Sequence, residues 1–137
     1  MLTVLHIDDD PEVRFLLREL VAEQPNAADF RWLEASQVEE ALVLHGDAHP
    51  DLILLDNRLG YEEGVAVLPR LRSAFPCPVW MLSSVFNEGL TAQAQAAGAA
   101  GVATKDEVLG APSRLGSFLF RAAATEARGV GRSKKLA

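Results

Sequence analysis

The sequence contains a single cysteine, Cys77, which excludes an intramolecular disulfide, and it has neither a CxxC pair nor a Cys/His cluster to frame a zinc site. A reducing, cytoplasmic setting is expected. No apolar run approaches the roughly 20 residues of a membrane span. The start, MLTVLHIDDD, has neither the cationic segment nor the apolar length of a signal peptide. Positive charge is scarce before residue 128, where 9 Lys and Arg face 19 Asp and Glu, a net charge of −10. Such a balance argues against nucleic acid as a direct ligand, because a phosphate backbone needs a basic face, and favours an acidic site for a metal or a cationic partner. Only at the end does the sign change: Arg128, Arg132, Lys134 and Lys135 stand without an acid and bring the whole chain to −6.

What is present is the material of one core. The 137 residues are 49% hydrophobic and 23% charged, which suits a single self-sufficient domain. We expect that domain over residues 1–127 and a basic, flexible tail over 128–137.

Short apolar runs alternate with longer segments of helical period, the pattern of a parallel sheet covered on both faces. Five strands are predicted: Leu2 to Ile7, Phe30 to Glu34, Asp51 to Leu55, Pro78 to Leu82 and Gly101 to Thr104. The first helix follows Asp10 as cap and Pro11 in its first turn, with Val13, Leu16, Leu17, Leu20 and Val21 on one stripe. Ser36 and Glu39, three apart, predict a capping box for a second helix reaching His45. Glu62 and Glu63 suit the start of a third, which runs to Phe75. The Ala-rich segment Glu88 to Ala97 and a final amphipathic segment, Ser113 to Ala127, supply the remaining helices. His6, Trp32 and Trp80 are expected in the core, and His45 and His49 at the surface.

In open parallel sheets ligands bind beyond the carboxyl ends of the strands, and every distinctive polar group falls at such an end. Asp8, Asp9 and Asp10 end the first strand, Asp56 the third, Ser83 and Ser84 the fourth, and Lys105 the fifth. Carboxylates converging on one pocket repel unless a cation sits among them, and hard oxygen ligands suit Mg²⁺ or Mn²⁺. With a lysine and a hydroxyl beside them, the set suits phosphoryl transfer to a carboxylate nucleophile.

These residues resemble the receiver domain of bacterial two-component response regulators, of the single-domain, chemotaxis-regulator type. The resemblance is carried by VLHIDDDPEVR (4–14), DLILLDNRLG (51–60), Gly64, PVWMLSS (78–84) and GVATKD (101–106), in the family's order and spacing. It implies a flavodoxin-like α/β fold with strand order 2-1-3-4-5 and a phosphoacceptor, not an enzyme turning over an external substrate. By the same resemblance Asp56 is the acceptor. Asp9 ligates Mg²⁺ directly, Asp8 does so mainly through water, and the backbone carbonyl of Arg58 completes the protein ligands. Ser83 and Lys105 hold phosphoryl oxygens, and Gly64 matches a glycine eight positions beyond the acceptor. The implied donor is a histidine kinase or histidine phosphotransfer protein. The implied output surface, for a target protein or a second copy, is the face of the fourth helix, fifth strand and fifth helix.

Several positions depart from the family pattern. Gly60 replaces a usual proline, which predicts a more mobile loop. Val102 replaces an aromatic that reports phosphorylation, Asp106 a common proline, and Ser84 a small alanine. Two other readings therefore stay open. One is a degenerate receiver that binds partners without phosphorylation. The other is a phosphatase of the haloacid dehalogenase type, with Asp8 as nucleophile and Asp10 as acid/base.

Overall fold

The computed structural model describes residues 1–132, with side chains through Thr125. β1 (Leu2–Ile7) leads into α1 (Pro11–Ala22). Asp10 caps that helix, its carboxylate accepting from the Glu12 N–H at 2.9 Å, and Pro11 sits where a missing N–H costs nothing. A 3-10 turn precedes β2 (Phe30–Ala35), which is followed by α2 (Val38–His45). β3 (Leu52–Asp56) is buried at every position, as expected of a central strand. A small antiparallel hairpin, β4 (Arg58–Leu59) with β5 (Glu62–Glu63), comes before α3 (Gly64–Ala74). β6 (Val79–Ser83), α4 (Glu88–Ala97), β7 (Gly101–Thr104), a short α5 (Lys105–Leu109) and the long α6 (Leu115–Arg132) complete the chain.

The main sheet is parallel, in the order β2-β1-β3-β6-β7. With the hairpin set aside, its five strands in chain order read 2-1-3-4-5, the order that the resemblance implies. Successive side chains alternate between two cores. Leu5, Ile7, Ile53, Leu55 and Met81 face α2, α3 and α4, while Val4, Leu52, Leu54 and Leu82 face α1 and α6. From α6, Leu115, Leu119 and Ala122 are buried at 1% exposure or less. Full burial of a leucine contributes about 2–3 kcal/mol, so this row alone anchors the last helix to the sheet.

Several local expectations need correcting. At α2 the residue in the capping position is Gln37, whose side chain makes no cap bond; Glu40, not Glu39, reaches back to the Ser36 amide. Burial of Val38 and Ala41 against the sheet sets the helix phase and turns Glu39 outward, where it pairs with Arg70 at 2.9 Å. Glu62 and Glu63 form the return strand of the hairpin, and the helix starts only at Gly64. The last helix starts at Leu115, after a 3-10 turn over Pro112–Arg114, because α5 intervenes. Trp32 and Trp80 are half-buried against the α1/α6 core rather than fully enclosed. His49 is exposed, whereas His45 is half-buried, its Nε2 lying 2.9 Å from the Glu34 carbonyl oxygen. α6 continues past Ala127 to Arg132, and the rest of the expected tail lies outside the described residues.

Candidate acidic site at the carboxyl edge of the sheet

Parallel strands deliver their carboxyl ends to one edge, and the topology places β1 and β3 side by side with β6 and β7 beyond. Asp8 leaves β1 fully buried. Its amide donates to the Ala35 carbonyl at 3.0 Å, its Oδ1 accepts from the Asp10 N–H at 2.9 Å, and its carbonyl accepts from Arg14 at 2.6 Å. Three partners, on β2, at the cap of α1 and within α1, thus fix the backbone and one carboxylate oxygen of Asp8. Asp56 is the last residue of β3 and is 5% exposed. The next amide, Asn57, donates to the Leu82 carbonyl at 2.8 Å and keeps Asp56 in register with β6.

Lys105 arrives from β7 on a turn locked at both ends. The Thr104 amide donates to the Glu107 carboxylate at 2.8 Å, and the Glu107 amide donates to the Thr104 hydroxyl at 3.0 Å. From there the lysine Nζ lies 2.9 Å from Asp56 Oδ1 and 3.6 Å from Asp8 Oδ2. Oxygens of Asp8, Asp9 and Asp56 all lie within 4.8 Å of one another. At such spacing each like-charge pair costs about 3–4 kcal/mol at an effective dielectric of 20, and one lysine offsets only part of it.

The protonation equilibria record this crowding. Burial is the largest cause raising the Asp8 pKa to about 6; the Asp10 amide opposes it, and the charges of Asp56 and Asp9 add to it. Asp56 is also raised, first by burial, against the opposing contacts of Lys105 and the Arg58 backbone N–H. Burial works against the charge of Lys105, but the hydrogen bonds and fields of Asp56 and Asp8 outweigh it, and its pKa rises. Below Asp8 the His6 ring is fully buried with no hydrogen bond at either nitrogen, and Nε2 is 3.7 Å from Asp8 Oδ2. Burial first, then Lys105 and Arg14, push its pKa down to about 3, so it sits neutral in the core as expected.

Asp8 Oδ2 is buried without a hydrogen-bond partner. A buried carboxylate oxygen that has only the Lys105 charge at 3.6 Å and faces two further carboxylates is a donor set for a hard divalent cation, and an all-oxygen site suits Mg²⁺. Asp10 stands outside the cluster, committed to capping α1, which removes the acid/base that the phosphatase reading requires. Ser83 is buried at the end of β6, but its hydroxyl donates to the Val85 carbonyl at 2.8 Å. Arg58 is exposed on the hairpin, and Ser84 is exposed on the loop after β6.

Gly64 is the first residue of α3 and packs against the backbone of Asp56. A Cβ there would lie 2.6 Å from Met81 Cε and 2.7 Å from the Asp56 carbonyl oxygen. The methionine tip can move, but the carbonyl cannot move without carrying Asp56. Gly64→Ala should therefore cost about 1–3 kcal/mol in urea unfolding. Arg14 and Gln37 also border the site, and no spacing motif in the sequence marks either residue.

A doubly wound sheet with a buried carboxylate cluster and one lysine at its carboxyl edge defines a class of α/β domains whose chemistry lies at that edge. Residues 4–111 match the response regulator receiver domain, and the chain belongs to that family. It is 37% identical over 85 residues to the transcriptional regulatory protein CpxR of Klebsiella pneumoniae, covering 62% of this chain and 34% of that protein. It is 32% identical over 99 residues to a protein-glutamate methylesterase/protein-glutamine glutaminase of Idiomarina loihiensis, covering 71% and 25% respectively. The chain thus spans about a quarter to a third of the length of these curated relatives. The crystal structure of the response regulator domain of Thermotoga maritima CheB superposes with a TM-score of 0.74 at 25% identity, covering 90% of this chain and 97% of that one.

Proposed function

We propose that this receiver domain accepts a phosphoryl group on the carboxylate of Asp56 from a histidine kinase or histidine phosphotransfer protein, and later loses it to water. The observation that carries the reading is the convergence of Asp8, Asp9 and Asp56 on one pocket with Lys105 at 2.9 Å from the acceptor. A carboxylate oxygen of Asp56 forms the new P–O bond as the P–N bond to the donor histidine breaks, and the released imidazole nitrogen takes up a proton. Lys105 then neutralises a phosphoryl oxygen, and Ser83, by exchanging its bond to Val85, donates to another. Asp8, Asp9, Asp56 and the Arg58 carbonyl would hold Mg²⁺, or Mn²⁺ in its place. When bound, the ion supplies charge neutralisation to the transferring group.

The output would pass by protein contact through α4, β7 and α6, at a target protein or a second copy of the domain. A groove of about 400 Å³ beside edge strand β7, lined by Trp80, Val102, Arg114 and Phe118, supports this reading. Among the described residues no helix is long and apolar enough to cross a membrane, and a cytoplasmic setting without direct nucleic-acid contact fits the acidic body. Incubation with acetyl phosphate and Mg²⁺ should add one phosphoryl group by intact mass, and EDTA should prevent it. Mass gain that persists in EDTA, or no gain at all, would refute the reading.

A further inference from the structure

The hairpin after Asp56 turns at Gly60, whose φ of 65° is in the left-handed region that favours glycine. A Cβ built on Gly60 would lie 3.7 Å from Nε2 of Gln37 and 3.8 Å from Oδ2 of Asp9. The carboxamide and the carboxylate therefore border the same small space beneath the hairpin tip. They come from different elements, the loop before α2 and the loop after β1, and parallel pairing of β1 with β2 brings those loops together.

Gln37 performs no evident structural task with its side chain. It occupies the capping position of α2 without making a cap bond, and the residue is half-buried. Among the described residues neither the Gln37 carboxamide nor the Asp9 carboxylate has a hydrogen-bond partner. Asp9 is also the exposed member of the carboxylate trio; Asp8 and Asp56 are buried and held by neighbouring amides or by Lys105. Of the three, Asp9 alone lacks a group that fixes its orientation.

We propose that Gln37 is a positioning residue for Asp9. Its Nε2 would turn to donate to one carboxylate oxygen and so present the other to the divalent cation. Partners that orient a ligand in this way raise metal affinity because the ligand no longer loses rotamer freedom on binding. Bare backbone at residue 60 leaves the space through which the carboxamide reaches, and this gives the glycine a role beyond loop mobility. The proposal rests on the cation reading of the acidic site.

The test is calorimetric titration of the full chain with Mg²⁺, beside thermal melts in EDTA. Gln37→Leu and Gln37→Ala should each raise the Mg²⁺ Kd roughly tenfold while leaving the melting temperature of the metal-free protein unchanged. Gln93→Leu, a control on the exposed side of α4, should alter neither. In an Asp9→Asn background the Gln37→Leu change should lose its effect, because the two side chains act through one contact. An unaltered Kd in both Gln37 variants, or an undiminished effect in the Asp9→Asn background, would overturn the role of Gln37 and leave the cation site standing. Absence of Mg²⁺ binding by the unsubstituted chain would overturn both.

Discussion

In Asp56→Asn, phosphoryl uptake from acetyl phosphate should fall to background while resistance to urea rises. The first effect follows from chemistry: a carboxamide oxygen is far less nucleophilic than a carboxylate, and none of Asp8, Asp9 or Asp10 is paired with Lys105 as closely as Asp56, at 2.9 Å. The second follows from electrostatics. Burial raises the Asp56 pKa in spite of Lys105, so the folded protein disfavours the ionised form relative to the unfolded chain. Asparagine removes that charge with little change of volume, and Lys105 keeps Asp8 as a partner at 3.6 Å. Intact mass and the urea midpoint read the two effects separately. Continued mass gain in Asp56→Asn would move the acceptor elsewhere, and a lower urea midpoint would show that the Lys105 pair outweighs burial.

The second large effect is expected at Asp8 and depends on pH. Its folded pKa of about 6 lies above the ordinary 3.8, so the folded protein binds the extra proton and stability falls as pH rises from about 4 through 6. His6 acts in the opposite direction. Its folded pKa of about 3 lies below 6.5, so the unfolded chain takes the proton first and stability falls on acidification below 6.5. The two slopes oppose each other in the wild-type protein, and a single melting curve against pH would hide both. The difference between wild type and Asp8→Asn isolates the aspartate. Without metal, Asp8→Asn should match the wild type near pH 4 and exceed it by about 3 kcal/mol at pH 7. Saturating Mg²⁺ at pH 7 should reverse the order, because the ion stabilises only the chain that retains its ligand. A pH-independent difference would show that Asp8 is not the group carrying the raised pKa.

Much of this site was legible because its members each terminate an apolar run. A buried parallel strand must be apolar along its length, and the first polar residue past its end marks the edge where ligands bind. Asp8, Asp56 and Lys105 were located by that rule alone. The capping box of α5, formed by Thr104 and Glu107, emerged only in the structure, and its turn is what aims Lys105 at Asp56. Other features were not legible. Glu62 and Glu63 have the residue types of a helical first turn, yet the contact of Gly64 with the Asp56 carbonyl fixes where α3 begins and leaves the glutamates to pair with Arg58 and Leu59. By resemblance Ser83 reads as a hydrogen-bond donor to a phosphoryl oxygen, while the structure shows its hydroxyl donating to the Val85 carbonyl.

By itself the sequence determined the alternation of strands and helices, the acidic character of one edge and the residue types available there. Those properties follow from local periodicity and from composition, which act over a few residues. Tertiary structure alone decided that Asp8 has a buried oxygen without a hydrogen bond, that Lys105 lies closer to Asp56 than to Asp8, and that the Gln37 and Asp9 side chains both approach Gly60. These are contacts between loops far apart in sequence, and their distances are set by strand register and by the close packing of helices on the sheet, which no local pattern encodes.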